Sequence, residues 1–258
     1  MKVPVLLSGG RPVVIVGVGL LCPAGMGAAA LAPGRPGAVP GFSARDHIAD
    51  RKALKLMTRA VQLGVSGVGL ALAAVPGWDA TPPARRALYV GASPQAGDPD
   101  DLQPALTAAT GPDGFSLARF ADAGVPLIHP LWLVRGLSNN VLGFASAIWD
   151  LQGTNANYCD GPAGGWAALH EGAHAVAEGR ADLCIAGGAD ALVEAGPLLG
   201  VAGGEGAAFV VFAPGTGEGA PVSLHPAAHV DPSGELGVLG AATGPVAVAR
   251  ALLARAGA

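Results

Sequence analysis

Two segments, PVVIVGVGLL at residues 12–21 and ADLCIAGGAD at 181–190, run through apolar residues without the polar–apolar alternation of a strand that has one wet face. Such runs are read as strands covered on both sides, which requires helices above and below a sheet. The spacing supplies the helices. Residues 51–75, RKALKLMTRAVQLGVSGVGLALAAV, carry apolar positions at helical spacing until Pro76 and Gly77 stop the pattern. Further helices are predicted over 163–178 and 244–257, and a turn followed by a helix over 129–153. Residues 84–93 and 154–158 are predicted strands, and 204–214 with 221–230 a hairpin around PGTGEG. The Gly-, Pro-, Asp- and Thr-rich stretch 94–126 is predicted to be a long loop with short helical turns, a length typical of functional or partner-facing loops. Strands alternating with helices make an α/β layered fold, and with neither a repeat nor a linker the expectation is a single domain over 1–258.

Composition narrows the function. Charged residues are 13% and hydrophobic ones 51% of 258 residues, where about a quarter charged is usual. Either the surface is rich in Ala and Gly, or part of it is covered by another protein. A net charge of −4 and three scattered lysines, Lys2, Lys52 and Lys55, argue against nucleic acid or an anionic membrane as the main partner. The opening MKVPVLLSGGRPVVIVGVGLLCPAG resembles a signal peptide, but Gly9–Pro12 interrupt it and Leu21 is too bulky for a cleavage site. No apolar stretch is long enough to span a bilayer. Cys22, Cys159 and Cys184 are odd in number and far apart, which fits reduced thiols in a soluble, cytoplasmic protein.

Three motifs offer chemistry, each beside a plain structural reading. Gly17 and Gly19 resemble a dinucleotide-binding turn, yet Cys22 stands where its third glycine belongs, and a tight turn explains them as well. His170–His174 spell HEGAH, two imidazoles one helical turn apart with Glu171 as base and Glu194 as a candidate third zinc ligand. Ala177 and Arg180 break the extended form of that motif, and Gly172 weakens the helix it needs. Cys159 is a candidate acyl-transfer nucleophile, although the adjacent Asp160 opposes thiolate formation.

Over most of its length the sequence resembles the β-ketoacyl synthases of the thiolase-like superfamily. The resemblance rests on RPVVIVGVGLLCPAG at the start and on Pro130, Trp132, Asn139, Gly143, Leu151 and Gly153 in order. It continues through Gly165, Gly179, Ala181, Asp182, Ala186, Gly187 and Gly188, and ends in GVLGAATGPVAVARALLA. It implies a layered αβαβα fold, mainly the amino-terminal half, with the carboxyl-terminal half shortened after residue 214. Counted back from Gly187 and Gly188, the family's nucleophilic cysteine falls on Pro162, which has neither a nucleophile nor an N–H for an oxyanion hole. Gly237, after Leu236, occupies the position of a family histidine, and the HGTGT-like segment and the family lysine have no counterpart.

The resemblance therefore implies a subunit with no catalytic residues of its own, similar to the chain-length factors of type II polyketide and aryl polyene systems. It would need no cofactor and no metal. Its partner would be an active β-ketoacyl synthase, and an acyl carrier protein would be engaged indirectly. By position, Trp132, Leu133, Val134 and Arg135, with Asn139 and Asn140, would face that partner, and Trp132 would reach toward the acyl tunnel or else serve as a core aromatic. An acyltransferase using Cys159, a zinc hydrolase using HEGAH and a remnant without biochemical role remain the alternatives.

Overall fold

A computed structural model describes residues 1–93 and 101–257. In chain order the strands are β1 (Val3–Pro4), β2 (Val13–Cys22), β3 (Gly25–Met26), β4 (Arg86–Ala92), β5 (Thr110–Gly111), β6 (Gly114–Phe115), β7 (Asn155–Cys159), β8 (Leu183–Ala191) and β9 (Glu205–Pro214). The helices are α1 (Arg59–Ala73), α2 (Gln103–Ala109), α3 (Leu117–Arg119), α4 (Trp132–Arg135), α5 (Asn140–Trp149), α6 (Gly161–Ala177), α7 (Gly196–Leu199), α8 (Ser233–Leu236) and α9 (Thr243–Gly257).

The main sheet runs β1-β2-β9-β8-β4-β7, with β3 folded back on β2 and β5-β6 forming a separate small hairpin. β4 is parallel to both β8 and β7, while β9 is antiparallel to both β2 and β8. Both faces are covered, as the unbroken apolar runs require. Phe209 and Val211 of β9 join Leu63, Val68 and Leu72 of α1 and Val141 of α5 in one core. The alternate residues Val210 and Phe212 join Leu169 and Val176 of α6 and Val248 and Leu252 of α9 in the other.

Three expectations change. The hairpin is absent, because β2 and β8 already occupy both edges of β9 and leave no edge for 221–230. Pro221 and Pro226 lie in that segment, which is a strap whose β-pairing among the described residues is the isolated bridge between Val222 and Val5. Gly17 and Gly19 lie inside β2 rather than in a turn after it. A Cβ on either would come within 2.6 Å of the α1 backbone at Ala71, so these glycines let the helix close on the strand. The helix predicted from residue 51 begins at Arg59, preceded by a 3-10 turn at Ala53–Leu56 and an extended Met57. Of the predicted loop, 94–100 lie outside the described residues. The remainder is gathered by Arg119, whose guanidinium donates to the carbonyls of Ala109 at 3.3 Å and Gly114 at 2.8 Å.

Candidate functional site

The site implied by the sequence lies at the carboxyl ends of β4, β7 and β8, around the first turn of α6. β7 ends at Cys159, which is exposed. Asp160 precedes the helix, and Gly161 takes φ +48°, turning the chain sharply into α6. Pro162 follows in the first helical turn, where its missing N–H would have had no intrahelical acceptor. It is exposed, so the position of the expected nucleophile carries an inert ring at an accessible helix start.

Glycines bring four backbones together behind this turn. A Cβ at Gly91 would sit 2.5 Å from the backbone of Gly165, and Cβ atoms at Gly165 or Gly188 would collide with the carbonyl of Ala241. The turn Gly240–Ala242 is thereby wedged between α6 and β8. Asp190, fully buried at the end of β8, holds it: the carboxylate accepts from the Ala241 N–H at 3.1 Å, from the Ala191 N–H at 3.0 Å and from the Ser93 hydroxyl. Beside it a cavity of about 30 Å³ is bounded by Thr58, Ser93, Arg135, Val141 and Asp190, room for a water molecule rather than an acyl chain. An acidic residue ending an otherwise apolar strand was the sequence signal for Asp190.

Gly237 lies apart from these groups, against the backbone of Ala202 and Gly204. Its φ is +80°, and a Cβ there would come within 2.7 Å of the Ala202 carbonyl, so the position suits glycine and would strain any larger residue. Asp182 is structural. It accepts from Arg85 Nε at 2.9 Å and Arg11 Nη2 at 3.1 Å, and the same guanidiniums bind the carbonyls of Gly179 and Val176 at the end of α6. The hydrogen bonds from Arg85, then Arg11, hold its carboxyl down to about 2.

His170, Glu171 and His174 of HEGAH lie away from the sheet on α6. His170 and His174 stack at 6.5 Å, Glu171 is exposed, and Gly172, Ala173 and Val176 face the sheet. Burial, and then the neighbouring His174, lowers the His170 pKa. Among the described residues no three His, Cys, Asp or Glu side chains come together to hold a metal, and Glu194 is exposed in the turn after β8. Cys184 and Cys22 are buried, and burial raises both thiol pKa values.

The residues expected at a partner face divide. Leu133 is 71% and Val134 41% exposed, and Asn139 is exposed. Asn140 turns inward, its amide donating to the carbonyls of Val134 at 2.7 Å and Arg135 at 3.1 Å. Arg135 is tied to Asp101 at 2.9 Å. Trp132 is half-buried, and its indole N–H has no acceptor among the described residues. Ser146 Oγ on α5 and Asn157 Oδ1 on β7 are likewise buried without a partner there. Leu131, Leu137, Phe115, Leu117 and Leu127 add exposed apolar area in the same part of the sequence. β7 itself ends the sheet: β4 takes one edge, and no described strand takes the other. On a different surface, Phe42, Arg45, Arg51 and Lys55 border a groove of about 780 Å³.

No family model matches the sequence, and no curated protein matches it. Solved structures do. A type II polyketide ketosynthase complexed with its acyl-carrier protein (AntDE:AntF) aligns over 80% of this chain and 63% of its own, at 17% identity and TM-score 0.62. The ishigamide ketosynthase/chain length factor aligns over 80% and 59%, at 20% identity and TM-score 0.63. A β-ketoacyl synthase from Burkholderia phymatum STM815 aligns over 80% and 59%, at 22% identity and TM-score 0.60. The chain thus has the ketosynthase fold and spans about three-fifths of the length of these structures. No helix among the described residues is long and apolar enough to cross a membrane.

Proposed function

We propose that this chain is a non-catalytic, ketosynthase-like subunit of the chain-length-factor kind, a single domain over 1–258. It pairs in the cytoplasm with an active β-ketoacyl synthase during polyketide, aryl polyene or fatty-acid-like chain elongation. The observation that carries the reading is Pro162 at the exposed start of α6, where the resemblance puts the nucleophile. The partner then supplies the cysteine and the histidines of the condensation. Gly237 supports the same reading, because its backbone conformation disfavours an imidazole-bearing residue.

Pairing is supported by the edge of β7 that no described strand takes, a row of backbone donors and acceptors, and by the apolar exposure of Leu133, Val134 and Leu137. The groove at Arg45, Arg51 and Lys55 suits a lesser share in docking an acidic carrier protein. The test is native mass, for the chain alone and co-expressed with the intact ketosynthase encoded nearest to it. A one-to-one complex on co-expression is expected. A well-behaved monomer that binds no ketosynthase rejects the reading.

The exposure of Cys159 directly before α6 favours one second reading, acyl transfer through that thiol. Stoichiometric carboxamidomethylation of Cys159 would then abolish a measurable acyl-transfer activity.

A further inference from the structure

A helical layer on a sheet leaves an outer face that must itself be covered or made polar. In this chain both remedies are applied to α6 and α9. Residues 215–239 run across the layer as a strap. Val222 and Leu224 are buried with Leu169, Ala173, Val248 and Leu252, and Leu236 and Leu239 with Val246 and Ala249.

The strap is pinned along its length. Val222 exchanges backbone hydrogen bonds with Pro4 at 2.8 Å and Leu6 at 2.9 Å. His229 Nε2 lies 2.7 Å from the Ser223 carbonyl, and its ring packs on Trp166 of α6 at 5.7 Å. Glu235 pairs with Arg250 of α9 at 2.9 Å and accepts from the Gly34 N–H at 2.8 Å. His170 lies beside Leu224 and His225 of the strap, and beyond it α6 presents Glu171 and His174 instead of apolar side chains.

We infer that this chain carries its own closure of the α6–α9 layer. The outer face of α6 therefore offers no seat for a second sheet, and a ketosynthase paired at the β7 edge as proposed above leaves this layer unchanged. The choice of partner rests on the proposed function; the closure does not.

Hydrogen exchange on the full chain, alone and with the co-expressed ketosynthase, tests both parts. Residues 166–177 should exchange as slowly as α1 in the free chain and stay unchanged in the complex, while 155–159 gain protection. Fast exchange at 166–177 that slows only in the complex overturns the inference, because α6 would then be the docking face. Failure to form any complex rejects the proposed function instead, and leaves closure to be read from variants of the free chain. Leu224→Asp should speed exchange at 166–177 by about tenfold or more, with α1 unaffected. His229→Ala, a milder change for use if that variant does not fold, should speed exchange at 222–229 and 166–170 by about fivefold. Unchanged exchange at 166–170 in a folded variant overturns the closure.

Discussion

The buried carboxylate of Asp190 accepts the backbone N–H of Ala241 at 3.1 Å, joining the end of β8 to the turn that begins α9. Removing this acceptor strands buried donors, each costing about 1–3 kcal/mol. Asp190→Ala should therefore lower stability by about 3 kcal/mol and the melting temperature by about 9 °C. Ser93→Ala leaves the backbone donors in place and should cost about 1 kcal/mol. Thermal melts followed by circular dichroism compare the two.

Glycines in helices usually weaken them, so the sign of a Gly→Ala change reports how close the neighbours are. At Gly165 the added methyl would meet the Ala241 carbonyl, and Gly165→Ala should destabilise by about 2 kcal/mol or more. At Gly143, in α5, nothing lies within 4 Å of the new Cβ, and Gly143→Ala should stabilise the free chain by about 0.5–1 kcal/mol. Urea unfolding measures both.

The Arg85–Asp182–Arg11 cluster predicts a definite pH dependence. The folded carboxyl titrates at about 2, against an ordinary 3.8, so its contribution is complete above pH 4 and is lost as pH falls through 2. The side chain is 41% exposed, and solvent screening limits the effect to about 1 kcal/mol. Asp182→Asn should be less stable than the natural chain at pH 7, with the difference closing between pH 4 and pH 2.

Thiol labelling reads the free edge directly. Iodoacetamide at neutral pH should modify one of the three cysteines, Cys159, since Cys22 and Cys184 are buried and their thiols are held protonated. Cys159 lies in register with Ala92 at the end of β7, so complex formation across that edge should slow its labelling by about tenfold or more. Equal rates in free and bound protein would place the interface elsewhere.

Trp132 has a buried indole N–H without an acceptor among the described residues, beside the exposed Leu133 and Val134. If it projects into the partner's tunnel, Trp132→Ala in the reconstituted pair lengthens the product while the fold and the one-to-one mass are kept. Unchanged product length with loss of stability assigns it to the core.

The main strands were legible because burial on both faces leaves an unbroken apolar signature, and β2, β8 and β9 lie where those runs predict. The first turn of α6 was legible through Gly161 and Pro162, whose backbone preferences act locally. The strap was not. PVSLHPAAHV carries strand-like residues, and only the occupation of both β9 edges, at distant positions in the sequence, decides against pairing. The clusters around Asp182 and Asp190 were partly visible as single acidic residues bounding an apolar run, but their partners Arg11, Arg85 and Ser93 lie 97 to 171 positions away in sequence.

The uncovered side of β7 also bears on how much of this protein a cell can keep. A copy with nothing paired to this edge displays to every other such copy a strand side that no described strand takes, and pairing between copies competes with any productive assembly. Under the proposed pairing, the usable amount of the chain is capped by the abundance of its ketosynthase, and matched synthesis of the two becomes a condition for assembly.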